Sequence, residues 1–133
     1  MTKESLVEML QQMPTVEKLG TELTAKVRTL GATTVVAPAM GGLVIGQEVA
    51  RQLGVRFIFV EKEEGKLVLK RGFKIACGEK ILVVEDVVRR GRSAQETIRI
   101  IRAHQGTIVG VAMLLDFSDG KAPFGVPTFR LFT

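Results

Sequence analysis

The chain has no tryptophan and no tyrosine, one cysteine, one histidine and four prolines among its 133 residues. Without the two largest aromatic types, and with only seven phenylalanines, its core must be built mainly from Val, Leu, Ile and Ala. A lone Cys77 excludes an internal disulfide and suits a reducing, cytoplasmic environment. No apolar run approaches the roughly 20 residues a membrane-spanning helix needs. The first residues, MTKESLVEMLQQ, alternate charged with apolar positions and lack the apolar block of a signal peptide. A basic face with interleaved aromatics is also missing, which argues against a nucleic-acid partner. The net charge of +5 is therefore informative mainly where it clusters. Arg89, Arg90 and Arg92 fall within four residues.

What is present is the make-up of one globular domain over residues 1–133, with 46% hydrophobic and 25% charged residues. Residues 4–12 suggest a short amphipathic helix with Leu6, Val7, Met9 and Leu10 on one side. Pro14 opens a second helix whose stripe is Val16, Leu19, Leu23, Val27 and Leu30, and Gly31 closes it. Thr33–Ala37 reads as the first core strand. It runs into Pro38-Ala39-Met40-Gly41-Gly42 and then a helix, LVIGQEVARQLG, ending at Gly54. A strand, a small-residue loop and a helix start can hold an anion, although two glycines also make a simple tight turn. Val55–Val60 is apolar enough for a strand buried on both faces. Glu61–Phe73 reads as an exposed excursion or hairpin. Its Lys62, Lys66, Lys70 and Arg71 either reach an anionic substrate or keep a mobile loop solvated.

The stretch Ile81–Glu96, ILVVEDVVRRGRSAQE, carries the most chemistry. A buried strand ends in paired acids, Glu85 and Asp86, and Ser93 and Glu96 stand at capping-box spacing for a helix over Ser93–His104. Carboxylates can hold hydroxyls or a metal ion, and free N–H groups of a loop and helix start can hold phosphate. A sugar phosphate has both kinds of group. Gly106 ends this helix, and His104 in its last turn reads as a C-terminal cation or cap rather than a catalytic base. Thr107–Leu115 is a further buried strand that ends in Asp116, and FGVPTFRLFT suggests an edge strand after Pro127. Strands alternating with helices predict a three-layer α/β/α domain with a mostly parallel, Rossmann-like sheet. Its loops after Ala37, Val60, Glu85 and Leu115 should share one edge.

VVEDVVRRGRS resembles the phosphoribosyl pyrophosphate signature of type I phosphoribosyltransferases, and PAMGG resembles their pyrophosphate loop. The similarity runs from about Pro14 to Pro127 and is greatest to short orotate phosphoribosyltransferases, glycosyltransferases of pyrimidine nucleotide biosynthesis. The resemblance implies that a base, orotate, displaces pyrophosphate from phosphoribosyl pyrophosphate with Mg2+. By matched position, Glu85 and Asp86 would hold the ribose hydroxyls directly or through magnesium. Val88, Arg89, Arg90, Gly91, Arg92 and Ser93 would cradle the 5′-phosphate. Ala39, Met40, Gly41 and Gly42 would hold pyrophosphate, and Lys62 would belong to a mobile loop closing over it across a homodimer interface. The apolar tail (Phe124, Phe129, Phe132) covers either a partner or the domain's own core.

Four departures accompany the resemblance. Arg89-Arg90-Gly91-Arg92-Ser93 stands where the family has Thr-Thr-Gly-Gly-Ser, with Arg92 at a glycine position where φ > 0 would be strained. Its arginines bind phosphate by charge or fill the site themselves. The first two helices follow one another with no room for the family's base-recognising hood. Phe117 replaces an arginine that contacts the orotate carboxylate. The excursion lacks a histidine, with Glu61 at a basic position. Three readings stay open: an enzyme, a phosphoribosyl pyrophosphate- or nucleotide-binding regulatory module without turnover, and a structural or engineered scaffold.

Overall fold

The computed structural model describes residues 1–133. In chain order it has α1 (Lys3–Leu10), α2 (Met13–Val27), β1 (Thr34–Pro38), α3 (Leu43–Leu53), β2 (Arg56–Glu63), β3 (Lys66–Val68), β4 (Lys80–Val88), α4 (Arg92–Ala103), β5 (Thr107–Asp116) and β6 (Thr128–Phe132). A six-stranded sheet has the order β3-β2-β1-β4-β5-β6. Every pairing is parallel except β2 with β3.

Strand residues alternate between two cores, as the pleat requires. Val35, Leu82, Val84, Ala112 and Leu114 pack with Leu19, Leu23, Ile45 and Val49, under α2 and α3. Val36, Ile81, Val83, Val111 and Met113 pack with Ala94, Ile98 and Ile101, under α4. The helices thus lie on both faces. This is the predicted three-layer architecture.

The order β2-β1-β4-β5 also places the site. The chain leaves β1 through α3 on one face to reach β2 on one side. It leaves β4 through α4 on the other face to reach β5 on the opposite side. The crevice beyond the carboxyl ends of β1 and β4 lies where these two directions diverge, which is where ligands bind in open α/β sheets.

Several local expectations hold. Pro14 lies in the first turn of α2, and Gly31 and Gly54 end their segments in the left-handed conformation. His104 is the C-cap of α4, its Nδ1 2.9 Å from the Ile100 carbonyl. The excursion is a β-hairpin pairing Glu61 with Val68, and its two turn residues, Glu64 and Gly65, both have positive φ (51° and 81°).

Other expectations are corrected. Only Leu6 of α1 is buried, and Val7 is exposed, because this short helix lies on α2 at the rim of its layer. On β2, Ile58 and Val60 are buried, whereas Phe57 and Phe59 are half-buried and Arg56 is exposed. The partner strand β3 pairs only with Glu61–Glu63, so the first half of β2 has a free edge. Phe73 meets the Phe59 ring edge-on at 5.2 Å and Arg71 lies 5.7 Å over it, bonded to Glu61. Gln105 (φ 65°), not Gly106, turns the chain after α4.

Ser93 does not cap α4. The N-cap is Gly91, with no side-chain cap bond, and Ser93 lies within the first turn. The one capping box of this kind is Thr2–Ser5 at the start of α1, with reciprocal bonds of 3.0 Å. Glu96 is committed elsewhere: its Oε1 accepts the Leu67 N–H at 2.8 Å and ties the hairpin to α4. Glu96→Ala should cost about 1–2 kcal/mol, because it strips a partner from a part-buried N–H. Hydrogen exchange at Leu67 should accelerate while the β4 amides keep their protection, and an unchanged Leu67 rate would count against this tie.

Candidate functional site

A cleft of about 490 Å³ opens at the switch point, lined by the end of β1, the end of β4, the loop after it and the first turn of α4. Glu85 and Asp86 are the sixth and seventh residues of β4, so the acids are held by the sheet itself and not by the following loop. Glu85 pairs with Met113 and Val87 with Leu115 on β5. Glu85 is only 6% exposed. Burial pushes its carboxyl up to about 9, aided by its hydrogen bond to Asp86 and that neighbour's charge, while the Lys3 ammonium acts in the opposite sense. At neutral pH Glu85 therefore keeps its proton in the ligand-free protein. The pair is braced by backbone: the Asp86 N–H donates to Glu85 Oε1 (3.1 Å) and the Val87 N–H to Asp86 Oδ1 (2.7 Å).

Gly41 brings the loop after β1 against these acids. A Cβ there would stand 2.7 Å from both Asp86 carboxylate oxygens, so only glycine permits this approach. The Ala39–Met40 peptide is cis. Pro38, Ala39 and Gly41 line the cleft, whereas Met40 points outward with 81% exposure and Gly42 is buried as the N-cap of α3.

On the far wall, Gly91 (φ 78°) turns β4 into α4. Arg92 has ordinary helical geometry, so the strain expected for a non-glycine residue there is absent. Because α4 lacks a capping side chain, the N–H groups of Arg92, Ser93 and Ala94 at the cleft are free for a ligand. Val88 ends the strand and is buried, so it presents backbone only. Arg89, Arg90 and Arg92 are exposed and line the cleft, and none has a carboxylate within 4.0 Å. They add positive charge without filling the volume.

Lys62 is not among the lining residues. It lies exposed on the hairpin, paired with Leu67. Lys3 lines the cleft instead. Sequence reasoning missed it because nothing local distinguishes it from a solvated helix lysine. Only packing of α1 beside the switch point brings it near Glu85.

The loop after β5 does not line the cleft but touches its wall. The Arg89 guanidinium lies 4.5 Å from the centre of the Phe117 ring. The preceding Asp116, buried at 2% exposure, takes bonds from the Ser118 N–H and Oγ, the Gly120 N–H and Arg130 Nη1. Burial raises its carboxyl, but these donors outweigh that and hold it below the usual carboxylate range.

Comparison with known proteins finds likeness over most of the chain. A family model described as a phosphoribosyl transferase domain matches residues 7–125. The chain belongs to this family. It is 46% identical over 126 residues to the orotate phosphoribosyltransferase of Desulforamulus reducens, covering 95% of this chain and 66% of that one. With the orotate phosphoribosyltransferase of Pelotomaculum thermopropionicum it shares 45% over 117 residues, covering 88% and 62%. The chain thus spans about two thirds or less of these relatives. In three dimensions it resembles the adenine phosphoribosyltransferase of Thermoanaerobacter pseudethanolicus, with a TM-score of 0.83 and 18% identity over 93% of this chain and 83% of that one. The orotate phosphoribosyltransferase of Aeropyrum pernix superimposes with a TM-score of 0.74 and 21% identity over 94% and 75%. These likenesses establish the type I phosphoribosyltransferase fold. No helix is long and apolar enough to cross a membrane.

Proposed function

We propose that the cleft binds phosphoribosyl pyrophosphate and that the chain is an orotate phosphoribosyltransferase-type protein, joining the phosphoribosyl group to a pyrimidine base with loss of pyrophosphate. One observation carries the reading. A buried acid beside a half-buried one, a close-approach glycine loop and an uncapped, arginine-flanked helix start face a single cleft. A ligand with two adjacent hydroxyls, a phosphate at one end and a diphosphate at the other is complementary to that set.

In this reading the 5′-phosphate sits on the N–H groups of Arg92, Ser93 and Ala94 with the arginines around it. The diphosphate lies along Ala39–Gly41, and Asp86 and Glu85 hold the ribose diol. As the bond from the anomeric carbon to pyrophosphate breaks, a ring nitrogen of the base forms the new bond. The cationic centre and the leaving charge are stabilised by fixed dipoles and side chains, and no nucleophilic residue is needed.

Mg2+ suits this donor set. No cluster of three or more His, Cys, Asp or Glu forms a cage. One or two carboxylates that leave the remaining positions to substrate oxygens and water match magnesium's usual binding. Asp86 would hold it, with Glu85 joining where the cation displaces its proton, and when bound it would neutralise charge on the departing pyrophosphate. The mobile-loop role of Lys62 and a homodimer belong to the same proposal. The hairpin must then leave its tie to Glu96, and light scattering would report the dimer.

Calorimetric titration of phosphoribosyl pyrophosphate with Mg2+ should show binding, and Asp86→Ala should weaken it roughly 10- to 100-fold through loss of charge-assisted bonds. Glu85→Ala should weaken it less. Absence of heat and of any thermal shift in the wild type would end the reading. Formation of orotidine 5′-monophosphate from orotate then separates an enzyme from a binding module, a distinction sharpened by Lys62 standing outside the cleft.

A further inference from the structure

The contact between Arg89 and Phe117 joins two loops that the sequence separates by 27 residues of strand and helix, and its surroundings are specific. The Phe117 N–H donates to the Val88 carbonyl at 2.8 Å, which ties the residue after β5 to the residue before Arg89. The ring keeps 40% exposure, and the guanidinium 4.5 Å from its centre has no carboxylate partner. The nearest acid in sequence to Phe117 is Asp116, and both its oxygens are already occupied by Ser118, Gly120 and Arg130. Arg89 is therefore stacked but not neutralised. Arg90 and Arg92, on the same loop, have no aromatic contact.

We propose that Phe117 is a positioning residue that holds the Arg89 guanidinium at the wall of the cleft as a pre-set clamp for a ligand oxyanion. This inference rests on the reading of the cleft as a phosphoribosyl pyrophosphate site. A free arginine side chain loses substantial rotamer freedom when it grips an anion. A guanidinium laid on an aromatic face has already lost part of it, while its in-plane N–H donors stay available for bidentate bonding. The oxyanion is a phosphate or a carboxylate, since both match the planar fork.

The test is a double-mutant cycle on the whole chain, read by calorimetry with ribose 5-phosphate as the phosphate probe and orotate as the carboxylate probe. Phe117→Leu keeps apolar volume but removes the π face, and should weaken binding of the responding probe about 2- to 5-fold. Phe117→Tyr should bind as the wild type does. Arg89→Met should weaken binding about tenfold, and adding Phe117→Leu to it should bring no further loss. Non-additivity with ribose 5-phosphate identifies a phosphate, and with orotate a carboxylate. Equal losses from Phe117→Leu with and without Arg89, or equal losses in the Leu and Tyr variants, would overturn the positioning role. If the wild type binds phosphoribosyl pyrophosphate yet neither probe responds to Phe117→Leu, this inference alone is lost. If the wild type binds none of the three, the reading of the cleft is lost with it.

Discussion

Glu85→Gln is expected to flatten the dependence of folding stability on pH and to stabilise the ligand-free protein above neutrality. Glu85 is buried beside Asp86, and its carboxyl is raised from 4.5 to about 9 in the folded chain. Between those values the folded state holds a proton that the unfolded state has released. Stability therefore falls as pH rises across this window, by about 1.4 kcal/mol per pH unit at most. Its contribution is fully present below the unfolded value and is gone once pH passes about 9. From pH 5.5 to pH 8 the wild type should lose about 3 kcal/mol through this group. Glutamine keeps the shape and neutrality of the protonated acid and has no proton to lose. Asp116 does not disturb the comparison. Its carboxyl is lowered, so its contribution is present above the ordinary carboxylate range and is lost only as pH falls below it. Urea denaturation of both proteins at pH 5.5, 7 and 8 checks this, and parallel slopes would show that Glu85 ionises normally in the fold.

A valine at Gly91 is expected to be the most destabilising single change at the site, by about 4 kcal/mol. Two effects add. Gly91 has φ 78°, where a side chain is strained and a β-branched one most of all. A Cβ would also stand 2.9 Å from Phe124 Cε1 and 3.1 Å from the Ala122 Cβ. Phe124 is 5% exposed within the α4-side core, so it has little space to retreat. Gly91→Ala should cost about 2–3 kcal/mol. Adding Phe124→Leu to Gly91→Ala should recover the packing part but not the backbone part. If Gly91→Ala denatures at the wild-type urea concentration, the turn tolerates a side chain and this account fails. Phe124 is thus the underside of the Gly91 turn. Phe129 and Phe132 likewise pack against the core beneath α2, so the apolar tail covers the domain's own interior.

Much of this was legible in the sequence because it depends on local pattern. The stripe from Val16 to Val27, Pro14 at the start of α2, and the β-branched runs of β1, β4 and β5 give the same elements in the fold. The placement of PAMGG and of EDVVRRG at the carboxyl ends of β1 and β4 was legible too, since glycines and small residues after a β-branched run mark where a strand turns. Capping was misread at Ser93–Glu96 because the spacing of a capping box says nothing about competing partners. Glu96 reaches the Leu67 N–H, 29 positions earlier, and Gly91 begins the helix two residues before Ser93.

By itself, the sequence determined the order of elements, the two-faced burial of the central strands and the side chains at the end of β4, since each follows from periodicity or residue type over a few positions. Only the tertiary structure decided how those side chains behave. Strand order set the acids beside Gly41, and enclosure within the sheet put a proton on Glu85. The packing of α1 delivered Lys3, and the return of the chain through β5 placed Phe117 under Arg89. Desolvation, close approach and stacking depend on neighbours far apart in the chain, and no spacing within the sequence encodes them.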